Sequence, residues 1–180
     1  GRTGKLWGVE HWDVVPDILT VAKSLGGGVM PISAVTTTEE IFQPMMYPNP
    51  FMHTTTTGGG ALACSAAIAA IHVTLRERLW EQAAEKGNYL MPHLQKFVVQ
   101  YPNIFERVTG KGLLIGLHFR NPETGYKAAS GLFKRGVLVA GTLTSAQTVR
   151  IEPPLVVTTG QLDALVDRLG DTLREINSTL

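Results

Sequence analysis

The stretch Pro16-Asp17-Ile18-Leu19-Thr20-Val21-Ala22-Lys23-Ser24-Leu25-Gly26-Gly27-Gly28 decides how the rest of this chain is read. Residues 18–22 form a short apolar run, the pattern of a buried strand. The run delivers Lys23 to the strand's C-terminal end, where open α/β folds bind their ligands. The glycines at 26, 27 and 28 let a backbone or a ligand approach closely. A lysine amine attacks a carbonyl only when neutral, and a free lysine titrates near ~10.4. Burial or a neighbouring cation brings such an amine into range. The plainer alternative is a lysine that snorkels at a strand end. A nucleotide phosphate loop is excluded, because that motif places its lysine after the glycines and Lys23 precedes them.

Downstream, residues 32–37 read as a second strand, and Thr38-Glu39-Glu40 as a capped helix start. Residues 44–50 are loop. An Ala-rich helix is expected over 61–78 and another over 80–100, with Pro92 as a point of breakage or kinking. The rhythm then changes. Residues 112–119 alternate, with Leu113, Ile115, Leu117 and Phe119 on one face. Residues 125–135 read as a helix carrying Tyr126, Ala129, Leu132 and Phe133 on its apolar face, stopped by Gly136. Residues 137–140 and 148–151 are short strands. A capping box from Thr158 to Gln161 opens a last helix, with Leu162, Leu165, Val166, Leu169, Leu173 and Ile176 on one stripe.

The order suggests a boundary near residue 100. Residues 101–180 form a small α/β domain with its own core. Residues 1–100 read as incomplete, because two strands do not make a stable sheet alone. The lack of an initiator Met is taken as a sign that the chain begins inside a longer one.

A formal charge of +1 with no Lys/Arg run gives no footprint for nucleic acid. No apolar stretch reaches the ~18 residues of a membrane span, and residues 1–4 do not resemble a signal peptide. The single Cys64 rules out an internal disulfide and points to a reducing, cytoplasmic setting. The five histidines are scattered without metal-ligand spacing, so no metal site is expected.

Two further segments can carry chemistry. His53-Thr54-Thr55-Thr56-Thr57-Gly58-Gly59-Gly60 places hydroxyls and free N–H groups before a helix N-terminus, which suits an anion; the alternative is a loop that only caps that helix. Arg150 lies in Val149-Arg150-Ile151-Glu152-Pro153-Pro154, at the end of a strand stopped by two prolines. Its guanidinium can hold a carboxylate through two parallel hydrogen bonds, or it forms an ordinary ion pair with Glu152.

Taken together, these pieces resemble the class III pyridoxal-phosphate (PLP) aminotransferases. The resemblance runs the length of the chain, through Gly1-Arg2-Thr3-Gly4, Ala22-Lys23-Ser24-Leu25-Gly26-Gly27-Gly28, His53-Thr54-Thr55-Thr56, Gly110-Lys111-Gly112 and Arg150-Ile151-Glu152-Pro153-Pro154-Leu155. It implies the PLP-transferase fold of type I, with residues 1–100 as the C-terminal part of the large domain and its connecting helices, and 101–180 as the small domain. Lys23 matches the family's Schiff-base lysine. Thr56 matches the threonine that reaches the PLP phosphate held by the neighbouring subunit of a homodimer, and Arg150 the arginine that receives a substrate carboxylate. An amine donor and a 2-oxo acid acceptor such as 2-oxoglutarate are implied as partners. Gly28-Val29-Met30-Pro31-Ile32 and Val139-Ala140-Gly141-Thr142-Leu143 resemble the members acting on diamines such as putrescine. The ornithine and acetylornithine type, an aminomutase and a non-catalytic interaction domain stay open as alternatives.

The chain departs from the family pattern after the threonines. Gly60 and Ala61 stand where an Asn to cap the helix and a Pro for its first turn are usual. The family's Asp for the pyridine nitrogen falls before Gly1. The 180 residues by themselves are therefore expected to show little or no transaminase activity.

Overall fold

The computed structural model describes residues 1–179. The chain divides into two compact units, Val9–Arg78 and Gly1–Gly8 with Leu79–Leu180.

In the unit Val9–Arg78, β1 (Ile18–Val21) pairs antiparallel with β2 (Ala34–Thr37), with Val21 opposite Ala34 and Ile18 opposite Thr37. A 3-10 turn, Lys23–Gly26, follows β1. The short α1 (Glu39–Phe42) is capped by the Thr38 side chain, which accepts from the Ile41 N–H. The long α2 (Ala61–Arg76) completes the unit. The strand at 18–22 stands where the sequence put it, but it is not buried: Ile18 is 54% exposed. Ile18 and Thr20 on one face of the ribbon are exposed, and Leu19 and Val21 on the other are only half-buried.

The other unit starts with α3 (Leu79–Gln100), whose buried Ala83, Gly87, Leu90 and Leu94 recur at helical spacing. The helix continues through Pro92 without a break. The expected boundary near residue 100 therefore does not coincide with the division into units. It falls between 78 and 79, because Ala83, Leu90 and Leu94 belong to the same core as the strands after residue 100. The first residues join this unit too: the Leu113 N–H donates to the Arg2 carbonyl at 2.8 Å, and the Arg2 guanidinium to the Pro153 carbonyl at 2.8 Å.

The strands β3 (Phe105–Lys111), β4 (Leu114–Phe119), β5 (Ala140–Gly141) and β6 (Thr148–Ile151) form an antiparallel sheet in the order β3-β4-β6-β5. Leu113, Ile115, Leu117 and Phe119 are buried on one face as expected. They pack with Val149 and Ile151, and Phe119 stacks on Phe105 at 4.6 Å between ring centroids. β3 was not anticipated. It is an edge strand whose Glu106, Arg107, Thr109 and Lys111 face solvent, so its alternation is weak.

The helix α4 (Pro122–Lys134) is capped by Asn121 and starts earlier than expected. Its buried face also differs. Tyr126 and Phe133 are 75% and 68% exposed, and Thr124, Gly125, Ala128, Gly131 and Leu132 turn inward. Small residues win here because α4 lies close against α5 (Thr159–Asn177): a Cβ on Gly131 would stand 2.5 Å from the Thr172 methyl. The capping box of α5 is present, with Thr158 accepting from the Gln161 N–H. Its stripe is buried at Leu162, Leu165, Leu169, Leu173 and Ile176. Among the described residues no helix is long and apolar enough to cross a membrane, and no group of His, Cys, Asp and Glu is placed to hold a metal.

Candidate active site

The site begins where β1 ends. Ala22 is extended, and Lys23 turns sharply into the 3-10 turn with φ of 56°, in the left-handed region that side chains seldom enter. Gly27, with φ of 65°, closes the turn, and its N–H donates to the Ser24 carbonyl at 2.9 Å. That position needs a glycine for its backbone and also for space: an added Cβ would stand 3.2 Å from Ala70 of α2. The turn carrying Lys23 is thus seated on α2.

Lys23 lines a cleft of about 720 Å³. Ile32, Ala34, Val35 and Phe42 give it apolar wall; His53, Thr55, Thr57, Gly58 and Gly59 give it polar wall. The volume falls in the range of small-molecule sites, about 300–1,000 Å³. The polar wall leads into the N-terminus of α2. Gly60 is the N-cap and offers no side-chain cap, so the first-turn N–H groups keep no hydroxyl or carboxylate of their own. An amine, two hydroxyls, glycine backbone and a helix N-terminus make a donor set suited to an aldehyde-bearing, phosphorylated aromatic ring. The residues present fit PLP.

Thr56 is exposed and does not line this cleft, although Thr55 and Thr57 on either side of it do. Arg150 belongs to the other unit, on β6, directly opposite Gly116 of β4 and Ala140 of β5. Its Nε donates to the Gly141 carbonyl at 3.1 Å, and its Nη1 to Glu152 Oε1 at 3.3 Å. The ion pair with Glu152, weighed above as the plainer alternative, is therefore formed. Both side chains remain partly open to solvent. Sequence reasoning singled out Lys23 and the threonine–glycine loop as separate candidates; it did not anticipate that Thr55 and Thr57 line the same cleft as Lys23, and it did not find Val35 or Phe42. Val35 is apolar at a strand position like many others, and Phe42 is brought in only by the path of the chain between β2 and α1.

With this geometry in place, the comparisons with known proteins identify the class. The model of the family "Aminotransferase class-III" matches residues 1–173, and the chain belongs to that family. Its fold is that of the type I PLP-dependent aminotransferases. A putrescine aminotransferase of Pectobacterium atrosepticum is 47% identical over all 180 residues, which cover 38% of that relative. The crystal structure of an acetylornithine aminotransferase from Elizabethkingia anophelis is 36% identical with a TM-score of 0.86, over 97% of this chain and 43% of that one. An ornithine aminotransferase of Toxoplasma gondii is 28% identical with a TM-score of 0.89, over 99% of this chain and 42% of that one. The chain thus spans about two fifths of the length of the relatives it matches.

Proposed function

We propose that this chain supplies the lysine-bearing part of a PLP-dependent transaminase. Its reaction moves an amino group from a terminal amine, a diamine such as putrescine, to a 2-oxo acid such as 2-oxoglutarate. The observation that carries the reading is Lys23: it lines one cleft with Thr55, Thr57, Gly58 and Gly59 and sits on a strained turn seated on α2. PLP, when bound, supplies the electron sink for the carbanion at the amine-bearing carbon. Lys23 Nζ holds the cofactor and, as a free neutral amine, takes and returns the substrate proton. The apolar wall at Val35 and Phe42 suits the aromatic ring of the cofactor. Borohydride reduction of the complete PLP-loaded protein followed by peptide mapping should find the cofactor fixed to Lys23; cofactor fixed to another lysine would overturn the assignment.

Two finer points belong to the same reading. Thr56 serves the phosphate held by a second subunit, which suits its exposure outside the Lys23 cleft. Mixed Lys23→Ala and Thr56→Ala subunits should then recover activity in hybrid dimers, and none after verified exchange would count against sharing. Arg150 holds the acceptor carboxylate, so Arg150→Lys should raise the KM for 2-oxoglutarate. The diamine rests on the 47% identity to a putrescine aminotransferase. The solved neighbours that act on ornithine and acetylornithine support the alternative donor, and a donor panel on the complete enzyme separates the two.

A further inference from the structure

The pairing of β4 with β6 stops one step before its register would carry it on. The Phe119 N–H donates to the carbonyl of Gln147, directly opposite, at 2.9 Å. In an antiparallel pair the hydrogen-bonded positions recur every second residue. Leu117 with Val149 and Ile115 with Ile151 are therefore of that kind, and Leu113 with Pro153 would be the next. Pro153 has no N–H to give. The donor that the register places opposite the Leu113 carbonyl is thus missing, and β6 ends at Ile151. The Arg2 side chain occupies this place. Its Nη1 donates to the Pro153 carbonyl at 2.8 Å and reaches the Leu113 carbonyl at 3.4 Å. The Arg2 carbonyl in turn accepts from the Leu113 N–H at 2.8 Å. The seating is close: a Cβ on Gly112, whose φ is 54°, would stand 2.6 Å from the Arg2 carbonyl oxygen. Beyond Pro153, the Val157 N–H donates to the Pro154 carbonyl at 3.0 Å, and Lys86 Nζ to the Leu155 carbonyl at 2.6 Å. Of these contacts, the one made by Arg2 bridges the ends of β4 and β6.

We propose that Arg2 is a positioning residue for the acceptor. By replacing the hydrogen bond that Pro153 cannot make, it fixes the end of β6 and with it the aim of Arg150, three residues upstream on the same strand. The inference rests on Arg150 as the group that receives the acceptor carboxylate. Two parallel bonds from a guanidinium to a carboxylate form only when the plane of the guanidinium is held. Without Arg2, nothing joins β4 to β6 across Leu113 and Pro153, and the pair frays back toward Gly116 and Arg150. A diamine has no carboxylate for Arg150, so the loss falls on the acceptor rather than on the donor.

The test uses the complete PLP-loaded protein and Arg2→Met, which keeps an unbranched side chain and removes its donors. The KM for 2-oxoglutarate should rise about fivefold, the scale of one net hydrogen bond, with kcat and the KM for putrescine much less affected. Pro153→Ala restores a backbone N–H at the missing rung, so Arg2→Met combined with Pro153→Ala should bring the acceptor KM back toward that of the parent. Arg2→Lys keeps the charge and one donor group but not the planar fork, and should raise the acceptor KM by about twofold. If Arg2→Met does not fold, Arg2→Lys is read in its place, and an acceptor KM no higher than the parent's overturns the proposal. A role in folding alone would lower the cofactor content and kcat for every substrate pair and leave both KM values where they were; that outcome also overturns it. An acceptor KM unchanged in Arg2→Met, while Arg150→Lys raises it, would overturn the role of Arg2 and leave the functional reading standing. An acceptor KM unchanged in Arg150→Lys would overturn both.

Discussion

The two units of this chain divide stability and chemistry between them. Of the buried hydrophobic residues, Ala67 alone lies in Val9–Arg78; all the others belong to the unit that holds the four-stranded sheet. The smaller unit instead holds Lys23, the threonine–glycine loop and the cleft. It also leaves Trp12, Val15, Ile18, Val29, Val35 and Leu62 exposed. A layer of sheet covered by helices is self-sufficient, whereas a two-stranded ribbon with one long helix is not. Lys23, the lysine proposed to hold the cofactor, sits in the unit with the fewer buried hydrophobic residues.

Substitutions can break or sharpen this contrast. The largest effect is expected from Phe119→Ala, which removes a fully buried ring stacked on Phe105; about 3–5 kcal/mol should be lost in chemical denaturation. Ile18→Ala, at a strand position of the other unit, should stay within about 0.5 kcal/mol. Hydrogen exchange should rank the regions alike, with amides of Ile115–Phe119 and α5 slowest and those of β1 and β2 fast. The reverse order would sink the comparison.

Gly87→Ala comes next. A Cβ there would lie 2.3 Å from the Gly112 carbonyl oxygen, a backbone atom that cannot swing away. Overpacking of this kind costs about 1–3 kcal/mol, and a denaturation midpoint unchanged from the parent would refute the close approach of α3 to the turn between β3 and β4. Thr158→Ala removes the hydroxyl side of the α5 capping box and should cost about 1 kcal/mol, read as a lower midpoint for the same unit.

The smallest effect concerns pH. His118 hydrogen-bonds Thr109 at 2.8 Å and Thr148 at 3.1 Å. Partial burial, with the Arg107 charge adding, holds its imidazole below the usual value. The unfolded chain therefore takes up the proton first as pH falls, and folding stability declines below about 6.5, the ordinary imidazole value. Above it the two states are equally neutral and the term vanishes. Glu175, lowered by its bond to Arg135, and Glu123, lowered by Lys127, act in a more acid window, below the ordinary carboxylate value. His118→Gln should flatten the slope between pH 7 and 5.5 in urea midpoints; an unchanged slope would assign it elsewhere.

What could be read from the sequence followed the strength of each local pattern. The strict alternation from Leu113 to Phe119 and the stripe of α5 need no distant partner to be recognised, and both stand as expected. The α4 face failed because helix contact there is set by Gly131 against Thr172, a fit between residues 41 positions apart that apolar periodicity does not encode. β3 escaped because an edge strand carries polar residues on its open side. At the site, Lys23 at a strand end before three glycines and the threonines before a helix are legible in the local sequence, and their expected roles come from the family resemblance. The division of the loop between Thr55 and Thr57 on one side and Thr56 on the other, and the place of Phe42 in the cleft wall, depend on the course of the backbone.

The left-handed backbone at Lys23 has a consequence for anyone who selects variants of this protein by thermal robustness. A non-glycine residue in that conformation costs of order 1–2 kcal/mol, and with φ of 56° the position suits glycine better than lysine. A library ranked by survival after heating would therefore enrich Lys23→Gly, the replacement that deletes the amine proposed to hold the cofactor. Robustness and competence point in opposite directions at this one residue, so a screen on the family's chemistry has to score both together.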